Sequence, residues 1–588
     1  MKIINKLKLI PFLLLINSSI SSFAADINQV DTNTQEQIRQ QERQRLLRQR
    51  QEIKPDIRDS SEQLKSVSPV ATDVIPENEM PCYTISKVEL VGDSADQFKF
   101  ALNKVLDEKP ILGRCLGTVG INAVMSHTQN AIIAKGFVTT RILAAPQDLK
   151  SGVLQLTVIP GRIRNIRFTP DSIKRATAWN ALPISKGDVI NLRDIEQGLE
   201  NFKRVPTAEA DIQIEPATSE ANIPGLSDLV VRYQQRFPIR IAINLDDSGS
   251  RTTGKYQGGL TLSGDNLLSL SDLFYVNYNH DLGGGIPRVR GNDGYTAHYS
   301  VPYDDWLFST TTSTNDFHQT VAGINQTYVF SGRSQNAEVK VSKLLYRNNI
   351  NKTFASIKGF LRKSSNYIDD TEIEVQRRRT AGWEFGINQS WYLGQAILDY
   401  NLAYRRGTGA EDALTAPEES FDEGTSRMKL LLGDLSLTIP FQTKAPWGQQ
   451  PLQYNASLRG QTNYTPLTPQ DRFSIGNRFT VRGFDGEQTL VADHGWLIRN
   501  EIITPIAQSG QALYWGLDYG EVGGQSSKNL IGKYLAGTVI GLRGDGHATG
   551  LKLLNGLSYD IFLAKPINKP KGFETHNIAA GFNLNYAY

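Results

Sequence analysis

Apolar and polar residues alternate along a series of short segments in residues 236–588. The final segment, 578–588, is the clearest, because apolar residues or alanine occupy every second position. Similar alternation runs through 237–245 and 396–404. A period of two places successive side chains on opposite faces of a strand. The pattern therefore predicts a long succession of β-strands, each with one apolar and one polar face.

Two architectures satisfy such strands: soluble sandwiches with one wet face, or a transmembrane barrel with an apolar outside and a polar interior. Lipid cannot satisfy the backbone groups of an open sheet edge, so a spanning sheet has to close on itself. Strands here end in aromatic residues, the chain finishes on Tyr588, and residues 236–588 contain no cysteine. These features favour a closed antiparallel barrel, and at about 22 residues per strand and loop about 16 strands fit.

The stretch before the predicted barrel mixes strand and helix periods. Residues 121–132 and 192–202 carry apolar positions at helical spacing, and Asn191 is placed to cap the second helix. In each half, one strand-like segment precedes the helical part and two follow it. The sequence therefore predicts two small α+β units of the order β-helix-helix-β-β, at residues 81–160 and 161–235.

Residues 25–56 include a segment rich in Gln and Arg that contains neither Gly nor Pro. Good helix formers predict a helix, but one that is polar nearly all round cannot bury itself in an ordinary core. Residues 57–80 follow with Pro69 and Pro76 among Ser, Thr, Asp and Glu, which is the composition of an extended linker. The sequence alone leaves two alternatives for the helix: a solvated tail or a position inside a water-filled cavity.

Residues 1–24 have the parts of a secretory signal peptide. Three lysines form a basic start, and the apolar stretch 9–16 is shorter than the about 20 residues that a spanning helix needs. Small residues occupy the positions before the bond between Ala24 and Ala25 that a signal peptidase requires, so we expect cleavage there. We therefore expect export, with a membrane anchor as the alternative.

Export changes the meaning of the net charge. The whole chain has 63 basic and 60 acidic side chains, and three of the basic ones lie in the leader. The exported chain is therefore balanced and lacks the basic surplus of nucleic-acid binders, so no nucleic-acid partner is expected. A mean hydropathy of −0.34 excludes a bundle of membrane helices.

The chain contains two cysteines, Cys82 and Cys115. In an exported protein, two cysteines at this separation most simply form a disulfide. Their number and spacing do not fit a zinc site. Two buried free thiols are the alternative.

The order of these pieces resembles the TpsB transporters of two-partner secretion, an FhaC- and ShlB-like branch of the Omp85 superfamily. Residues 136–163 look like the first periplasmic POTRA domain of this family, whose paired cysteines match Cys82 and Cys115, and residues 191–199 look like the second. The resemblance implies a transmembrane barrel of about 16 strands at 236–588, two POTRA domains, and an N-terminal helix that plugs the barrel. Transporters of contact-dependent growth inhibition are the preferred branch.

Two short motifs carry the most specific likeness. The first consists of Val481, Arg482, Gly483 and Phe484. It looks like the tip of the sixth extracellular loop, which in this superfamily folds back into the barrel lumen, here near 473–495. The second motif spans 516–522, includes Asp518 and Gly520, and looks like the strand that the tip meets.

The resemblance implies a loop–barrel lock between Arg482 and Asp518. A guanidinium–carboxylate pair gives a loop a fixed direction and about 1.5–3 kcal/mol when it is partly desolvated. Gly483 would let the backbone turn tightly beside the wall, and Phe484 would add packing. An ordinary exposed charge at Arg482 is the alternative.

The resemblance also implies a large TpsA- or CdiA-like exoprotein as partner, bound in the periplasm as an extended segment. The edge strands of the α+β units could capture it by strand addition. The candidate contact residues are Phe137, Thr139, Arg141, Arg193 and Glu196. A purely scaffolding role for the units is the alternative. We further expect contact with membrane lipids, including lipopolysaccharide, and a monomeric state.

The sequence contains no GxxxxGK[ST] phosphate loop, no HExxH and no GxSxG, and its seven histidines are scattered. We therefore expect no enzyme, no cofactor and no metal site. The predicted function is an outer-membrane pore that recognises a CdiA-type toxin in the periplasm and moves it to the cell surface without ATP. Export of a haemolysin or adhesin is the alternative within the family, and a porin or barrel-assembly factor is the alternative outside it.

Overall fold

The fold comes from a computed structural model. It describes seven positions in the N-terminal region and most of 74–588: residues 36, 39, 42, 43, 45, 46 and 52, then 74–588 except 78, 218–223, 288, 324–325, 508 and 547–554. The predicted signal peptide with Ala24 and Ala25, and most of the predicted linker 57–80, lie outside these residues. The seven N-terminal positions are all helical, and we call them the lumenal helix.

The main sheet and the two helices of the first α+β unit follow the predicted order, and a short pair of strands, which was not predicted, is added to them. Its elements are β1 (Tyr83–Thr84), β2 (Lys87–Gly92), α1 (Lys99–Glu108), β3 (Cys115–Leu116), α2 (Thr118–Ala134), β4 (Arg141–Leu143) and β5 (Val153–Ile159). The main sheet has the order β2-β5-β4, and the clean alternation of β5 buries Leu154 and Leu156 against the helices. The disulfide between Cys82 and Cys115 is present beside the β1–β3 pair, so the predicted pairing is confirmed.

The predicted strand 137–143 is shorter than expected. Only Arg141–Leu143 forms a strand, because Phe137 turns inward and packs edge-on against Phe98, with ring centroids 5.1 Å apart. The side chain of Gln129 then binds the chain on both sides of Arg141: its Nε2 donates to the Thr140 carbonyl at 2.7 Å, and its Oε1 accepts from the Ile142 N–H at 2.8 Å.

The second unit repeats this architecture. Its elements are β6 (Arg162–Phe168), α3 (Ala178–Ala181), α4 (Leu192–Lys203), β7 (Ala208–Pro216) and β8 (Leu226–Gln235), with the sheet order β6-β8-β7. Asn191 caps α4 as predicted, since its side chain accepts from the Arg193 N–H. The two units touch through Arg162, whose Nη2 lies 2.8 Å from a carboxylate oxygen of Asp93. No helix among the described residues is long and apolar enough to span a bilayer.

The rest of the chain forms a closed antiparallel barrel, as predicted, with sixteen spanning strands among the described residues. The strands are β9 (Ile239–Asp246), β10 (Gln257–Asp265), β11 (Leu273–Asp281), β12 (Arg290–Tyr303), β13 (Trp306–Ala322), β14 (Thr327–Arg347), β15 (Asn351–Ile368), β17 (Arg378–Leu393), β18 (Ala396–Thr408), β19 (Lys429–Ala445), β20 (Gly448–Asn463), β23 (His494–Ile506), β24 (Gln511–Gly523), β25 (Tyr534–Asp545), β26 (Leu557–Asn568) and β27 (Ala579–Ala587). The two-residue strand β16 (Thr371–Glu372) pairs antiparallel with the end of β15 at one rim.

The period-two pattern decides which side chains face outward. On β10, Leu260 and Leu262 lie outside with about half of their surface exposed, 48% and 49%, whereas Thr261 and Ser263 point inward and are buried. An apolar outside and a polar inside suit a wall between lipid and water. The barrel closes where β27 pairs with β9, in a short register from Asn583–Asp246 to Ala587–Ala242.

Both α+β units lie at one rim of the barrel, and the second is bound directly to it. Asn180 donates to the Leu270 carbonyl at 2.7 Å, and Asn201 donates to the Asp304 carbonyl at 2.9 Å. Glu200 accepts from Lys352 at 2.5 Å and also pairs with Arg347. These contacts fix the second unit beneath the turns that follow β10, β12 and β14.

Candidate functional site: the barrel interior

The connection between β20 and β23, residues 464–493, is the sixth at the rim opposite the units, and it folds into the barrel. It contains the short strands β21 (Phe473–Ile475) and β22 (Leu490–Ala492), which pair with each other. The region is slightly longer than the predicted 473–495. It has a small apolar core, to which Ile475, Val481 and Leu490 contribute, so the loop is held by more than charge.

The structure brings Arg482 and Asp518 together. Arg482 Nε donates to Asp518 Oδ2 at 2.6 Å, Nη2 donates to Oδ1 at 2.7 Å, and the Arg482 backbone N–H adds a bond of 2.9 Å to Oδ2. Both residues are buried, at 4% and 3% exposure. This two-point geometry is the strong form of a charge-assisted hydrogen bond.

Glu501 on β23 completes the site, and no sequence motif pointed to it. Arg482 Nη1 donates to the Glu501 carboxylate, and Arg543 Nη2 lies 3.2 Å from that same carboxylate. Glu501 faces Gly516 across the β23–β24 pair, two residues from Asp518. The period of two therefore puts both acids on the inner face. The sequence could not assign Glu501 to the site, because this placement depends on the strand register.

The loop tip lies against the wall more closely than any side chain would allow. A Cβ on Gly537 would lie 1.8 Å from the Arg482 carbonyl oxygen, so β25 has to carry glycine there. Gly483 has a φ of +115°, which favours glycine, and a Cβ on it would meet the Lys565 carbonyl at 2.6 Å. Gly520 lies beneath Val481, and Phe484 packs edge-on against Phe573 at 5.5 Å.

The lumenal helix binds the loop on one side. Arg39 donates to the Pro469 carbonyl at 2.7 Å, Arg43 donates to Ser474 at 3.2 Å, and Asn477 donates to Glu36 at 2.6 Å. Glu36 is only 4% exposed. Of the two alternatives for this helix, the water-filled cavity is the one that the structure supports.

A ladder of charges on the wall meets the other side of the helix. Arg45 lies 3.1 Å from Glu338 on β14. From Glu338 the ladder continues to Lys358 at 4.0 Å, from Lys358 to Glu384 at 3.0 Å, and from Glu384 to Arg405 at 2.7 Å. The contacts of the described helix positions with the wall are thus polar, and water can replace them.

Glu52, the last described residue of the lumenal helix, lies near the rim that carries the units. Glu52 accepts from Ser263 at 2.7 Å and from Arg240 at 2.9 Å. Arg240 also donates to both oxygens of Asp265, which is fully buried and accepts from the Thr207 hydroxyl of the second unit at 2.9 Å. One hydrogen-bonded network therefore joins the helix, the barrel and the second unit.

The candidate partner-binding residues have different surroundings, although Phe137 and Arg193 line the same cavity. Phe137 belongs to the core of the first unit, and the buried Thr139 hydroxyl has no hydrogen-bond partner among the described residues. Arg141 is exposed, and its Nη1 donates to the Val138 carbonyl at 2.8 Å. Arg193 and Glu196 satisfy each other across one turn of α4, 2.6 Å apart.

A titratable carboxyl that sequence reasoning missed, that of Asp194, lies in the first turn of α4. A cavity of about 560 Å³ opens between the two units and the turn after β14, and Phe100, Asp194 and Tyr346 are among its lining residues. Burial raises the pKa of Asp194 to about 6 from its usual value of 3.8, and the nearby carboxylates of Asp305 and Asp188 add to the shift. Within the described ranges, no group of three His, Cys, Asp or Glu side chains could hold a metal ion.

Comparison with known proteins gives consistent matches along the chain. A family described as haemolysin secretion/activation protein ShlB/FhaC/HecB matches residues 225–544. A ShlB-type POTRA domain matches 83–161, and a POTRA domain matches 162–216. The two units are therefore POTRA domains, which we call POTRA 1 and POTRA 2.

Curated relatives and a solved structure agree with these matches. The outer membrane transporter CdiB-2 of Burkholderia pseudomallei (strain 1026b) is 36% identical over 534 residues, 88% of either chain. The haemolysin transporter protein HpmB of Proteus mirabilis is 26% identical over 463 residues, 76% of either chain. The structure of CdiB from Acinetobacter baumannii matches with a TM-score of 0.81 at 29% identity, covering 95% of this chain and 99% of that one.

These matches orient the molecule. The barrel lies in the outer membrane and the POTRA domains lie in the periplasm, so the rim to which POTRA 2 is bound is the periplasmic one and the opposite rim is extracellular. The polar interior, the inserted sixth loop and the lumenal helix are then parts of a pore. The chain belongs to the haemolysin secretion/activation family ShlB/FhaC/HecB, the outer-membrane pores of two-partner secretion.

Proposed function

We propose that this pore exports one large exoprotein of the CdiA type, which it recognises in the periplasm as an extended chain. The observation that carries the proposal is a lumen occupied by a helix held through polar contacts, directly above two POTRA domains. A passive porin needs neither feature. The 36% identity to a CdiB transporter favours the CdiA type of cargo.

Capture would occur by strand addition to a free sheet edge in POTRA 1. The edge strand β4 offers little, because Gln129 already binds Thr140 and Ile142. The opposite edge, β2, pairs only with β5, and no described residue outside that sheet bonds to its backbone between Val88 and Gly92. We therefore place the first contact with the exoprotein on β2 rather than on the predicted segment 137–143.

Opening would require the lumenal helix to leave. Its acids and arginines pair with the wall and the loop, and each broken pair can be replaced by water once the lumen is hydrated. The lock of Arg482 with Asp518 and Glu501 would keep the loop attached to β23 and β24 while the helix moves. No nucleotide is needed in this scheme, since folding of the exoprotein outside the cell prevents its return.

The proposal includes a monomeric pore surrounded by lipid, with lipopolysaccharide in the outer leaflet. Support comes from the closed barrel, which has no unpaired edge among its described strands. We also propose that the protein has no catalytic activity and needs no cofactor. The absence of catalytic motifs from the sequence supports this reading.

The decisive experiment pairs this protein with the large exoprotein encoded beside it. The two would be expressed together in a host that lacks both, and exoprotein at the surface and in the medium would be measured by immunoblot. Surface export that disappears when residues 82–160 are deleted supports the proposal, provided that the barrel still shows heat-modifiable migration. Export that persists without POTRA 1 would contradict capture by that domain.

A photo-crosslinking amino acid locates the capture edge. Placed at Glu89 on β2, it should crosslink the exoprotein, whereas the same group at the exposed Lys104 on α1 should not. Equal crosslinking at both positions would count against strand addition at β2. The second candidate cargo, a haemolysin, rests on the likeness to HpmB, and a contact-dependent inhibition assay with target cells separates it from a CdiA-type toxin.

A further inference from the structure

Four basic side chains form a patch on the outside of the barrel near the extracellular rim. They are Lys363 on β15, Arg379 on β17, Arg406 on β18 and Lys429 on β19. We call them the outer basic patch. The four strands are neighbours in the sheet, in the order β15-β17-β18-β19.

The direction of these side chains follows from their neighbours. Arg405 points into the lumen, where it pairs with Glu384 at 2.7 Å, and Arg362 pairs in the lumen with Asp471 at 3.2 Å. Adjacent residues of a strand face opposite sides of the sheet. Arg406 and Lys363 therefore face outward, and both are exposed.

The strand register sets like charges directly opposite each other. Lys363 faces Arg379 across the β15–β17 pair, and Arg406 faces Lys429 across the β18–β19 pair. Like charges in this arrangement destabilise a sheet. Two such pairs on neighbouring strands raise the electrostatic free energy of the folded barrel, and an anion between them would lower it.

The chain itself supplies little compensation. Arg379 lies 3.5 Å from the largely exposed Asp412, and its buried Nε has no hydrogen-bond partner among the described residues. Lys363, Arg406 and Lys429 form no ion pair with any described residue. The outer basic patch therefore has room for an external anion.

The surface below the patch is apolar and aromatic. Trp383 directly faces Arg406 in the register and packs against Tyr404 with ring centroids 5.7 Å apart. Towards the membrane centre, Phe385 and Leu402 follow on the same outward face, with 45% and 48% of their surfaces exposed. The order from rim to centre is thus basic, aromatic, apolar, which matches a lipid with a charged head, an interfacial region and acyl chains.

We propose that the outer basic patch binds the phosphorylated headgroup of a glycolipid in the outer leaflet, with its acyl chains along Phe385 and Leu402. The ligand class follows from the number of positive charges, the missing counter-charge and the lipid-facing position. This inference rests on the lipopolysaccharide-containing leaflet of the proposed function and not on export of a partner, so failure of lipid binding and failure of export are distinguishable.

The test uses full-length protein in nanodiscs that contain bisphosphorylated lipid A, phosphate-free lipid A or phosphatidylglycerol, with binding followed by native mass spectrometry. The variant carries Lys363→Gln and Arg406→Gln. The matched control carries Arg333→Gln and Lys343→Gln, which also remove two outward charges, one paired with Asp316 and one stacked on Trp306. Heat-modifiable migration confirms that each barrel is folded.

Wild-type protein should retain bisphosphorylated lipid A in preference to the two other lipids. The patch variant should bind it about thirtyfold more weakly, and the control should change little. An equal loss in both variants would mean that bulk charge, and not the patch, holds the lipid, and this would overturn the proposal. Wild-type retention in the patch variant, or displacement of the lipid by inorganic phosphate at equal concentration, would overturn it as well.

Discussion

A guanidinium nitrogen of Arg240, on the first barrel strand, lies 2.9 Å from a carboxylate oxygen of Glu52 on the lumenal helix. The same arginine binds Asp265, to which POTRA 2 donates through Thr207. A movement of POTRA 2 that breaks the bond from Thr207 also changes the environment of the arginine that holds the helix. This network would carry such a movement of POTRA 2 to the helix in the lumen.

Weakening this contact should open the pore. Glu52→Gln removes the helix charge without leaving an unpaired acid at the rim, and a charged hydrogen bond is worth about 1.5–3 kcal/mol. We expect the ratio of open to closed time in planar bilayers to rise roughly tenfold or more. The exposed Glu374 provides the matched control as Glu374→Gln. Unchanged gating in Glu52→Gln would show that this end of the helix is not a restraint.

Removing the helix altogether should have a larger effect. Deletion of residues 26–54 takes away every contact between the helix and the wall, so steady conductance should rise in all channels recorded. Wild-type conductance after the deletion would mean that the inserted sixth loop alone closes the pore.

Arg482→Ala should leave the barrel folded and abolish secretion. The substitution removes the two side-chain hydrogen bonds that Arg482 donates to Asp518, which is buried at 3% exposure and keeps the cation of Arg499 at 3.9 Å, and breaking a buried pair costs about 3–5 kcal/mol. Arg478 still pairs with Asp247, and Asp485 still pairs with His576, so we expect that cost to appear as a local displacement of the tip at 481–484. Exoprotein in the medium measures secretion, and proteolysis of the loop in intact cells measures its position. Normal secretion by Arg482→Ala would contradict a role for the lock.

Gly537→Ala tests the same loop without changing any charge. Its new Cβ would lie 1.8 Å from the Arg482 carbonyl oxygen, so the tip has to move away from β25. Gly433→Ala is the control, since a Cβ there meets nothing within 4 Å. We expect the first variant to lose secretion and become protease-sensitive in the loop, and the second to behave as wild type. Equal behaviour of the two would show that close contact at Gly537 is dispensable.

Asp194→Asn should stabilise the joint between POTRA 2 and the barrel in a pH-dependent way. Its pKa is raised to about 6, so the folded state holds this proton more tightly than the unfolded chain does. The free energy of unfolding therefore falls as the pH rises from about 4 to about 6, and the loss is complete above that. The variant should gain about 1–3 kcal/mol at pH 7.5 and nothing near pH 4.

Hydrogen exchange of the α4 amides, corrected for intrinsic rates, measures this difference in local stability. The exposed Asp107, as Asp107→Asn, serves as the control. A gain that stays constant between pH 4 and pH 7.5 would exclude titration of Asp194 as its cause.

Local patterns were enough to predict most of the elements. The period of two predicted the barrel strands and their outward faces. Each strand separates lipid from water, so alternate side chains have to be apolar towards the lipid and polar towards the lumen. Helical spacing and the cap at Asn191 gave α4, since both depend on residues close in sequence. The disulfide was predictable because export leaves a cysteine pair few alternatives.

Long-range geometry decided the rest. Only the resemblance placed Arg482 near Asp518. Nothing in the sequence pointed to Glu501, because its position beside this pair depends on the register between β23 and β24. It also extended a strand over 137–143, where Phe137 instead joins the core and Gln129 covers the edge.

The position of the lumenal helix depended on tertiary structure for a simple physical reason. A polar helix is equally compatible with solvent and with a wet cavity, so its own residues cannot choose between them. The choice was made by partners hundreds of residues away, Glu338 and Asn477 among them, which the closed barrel brings to the same place. The sequence alone thus determined strands with one apolar and one polar face, while the closed barrel determined which helix its polar inner face binds.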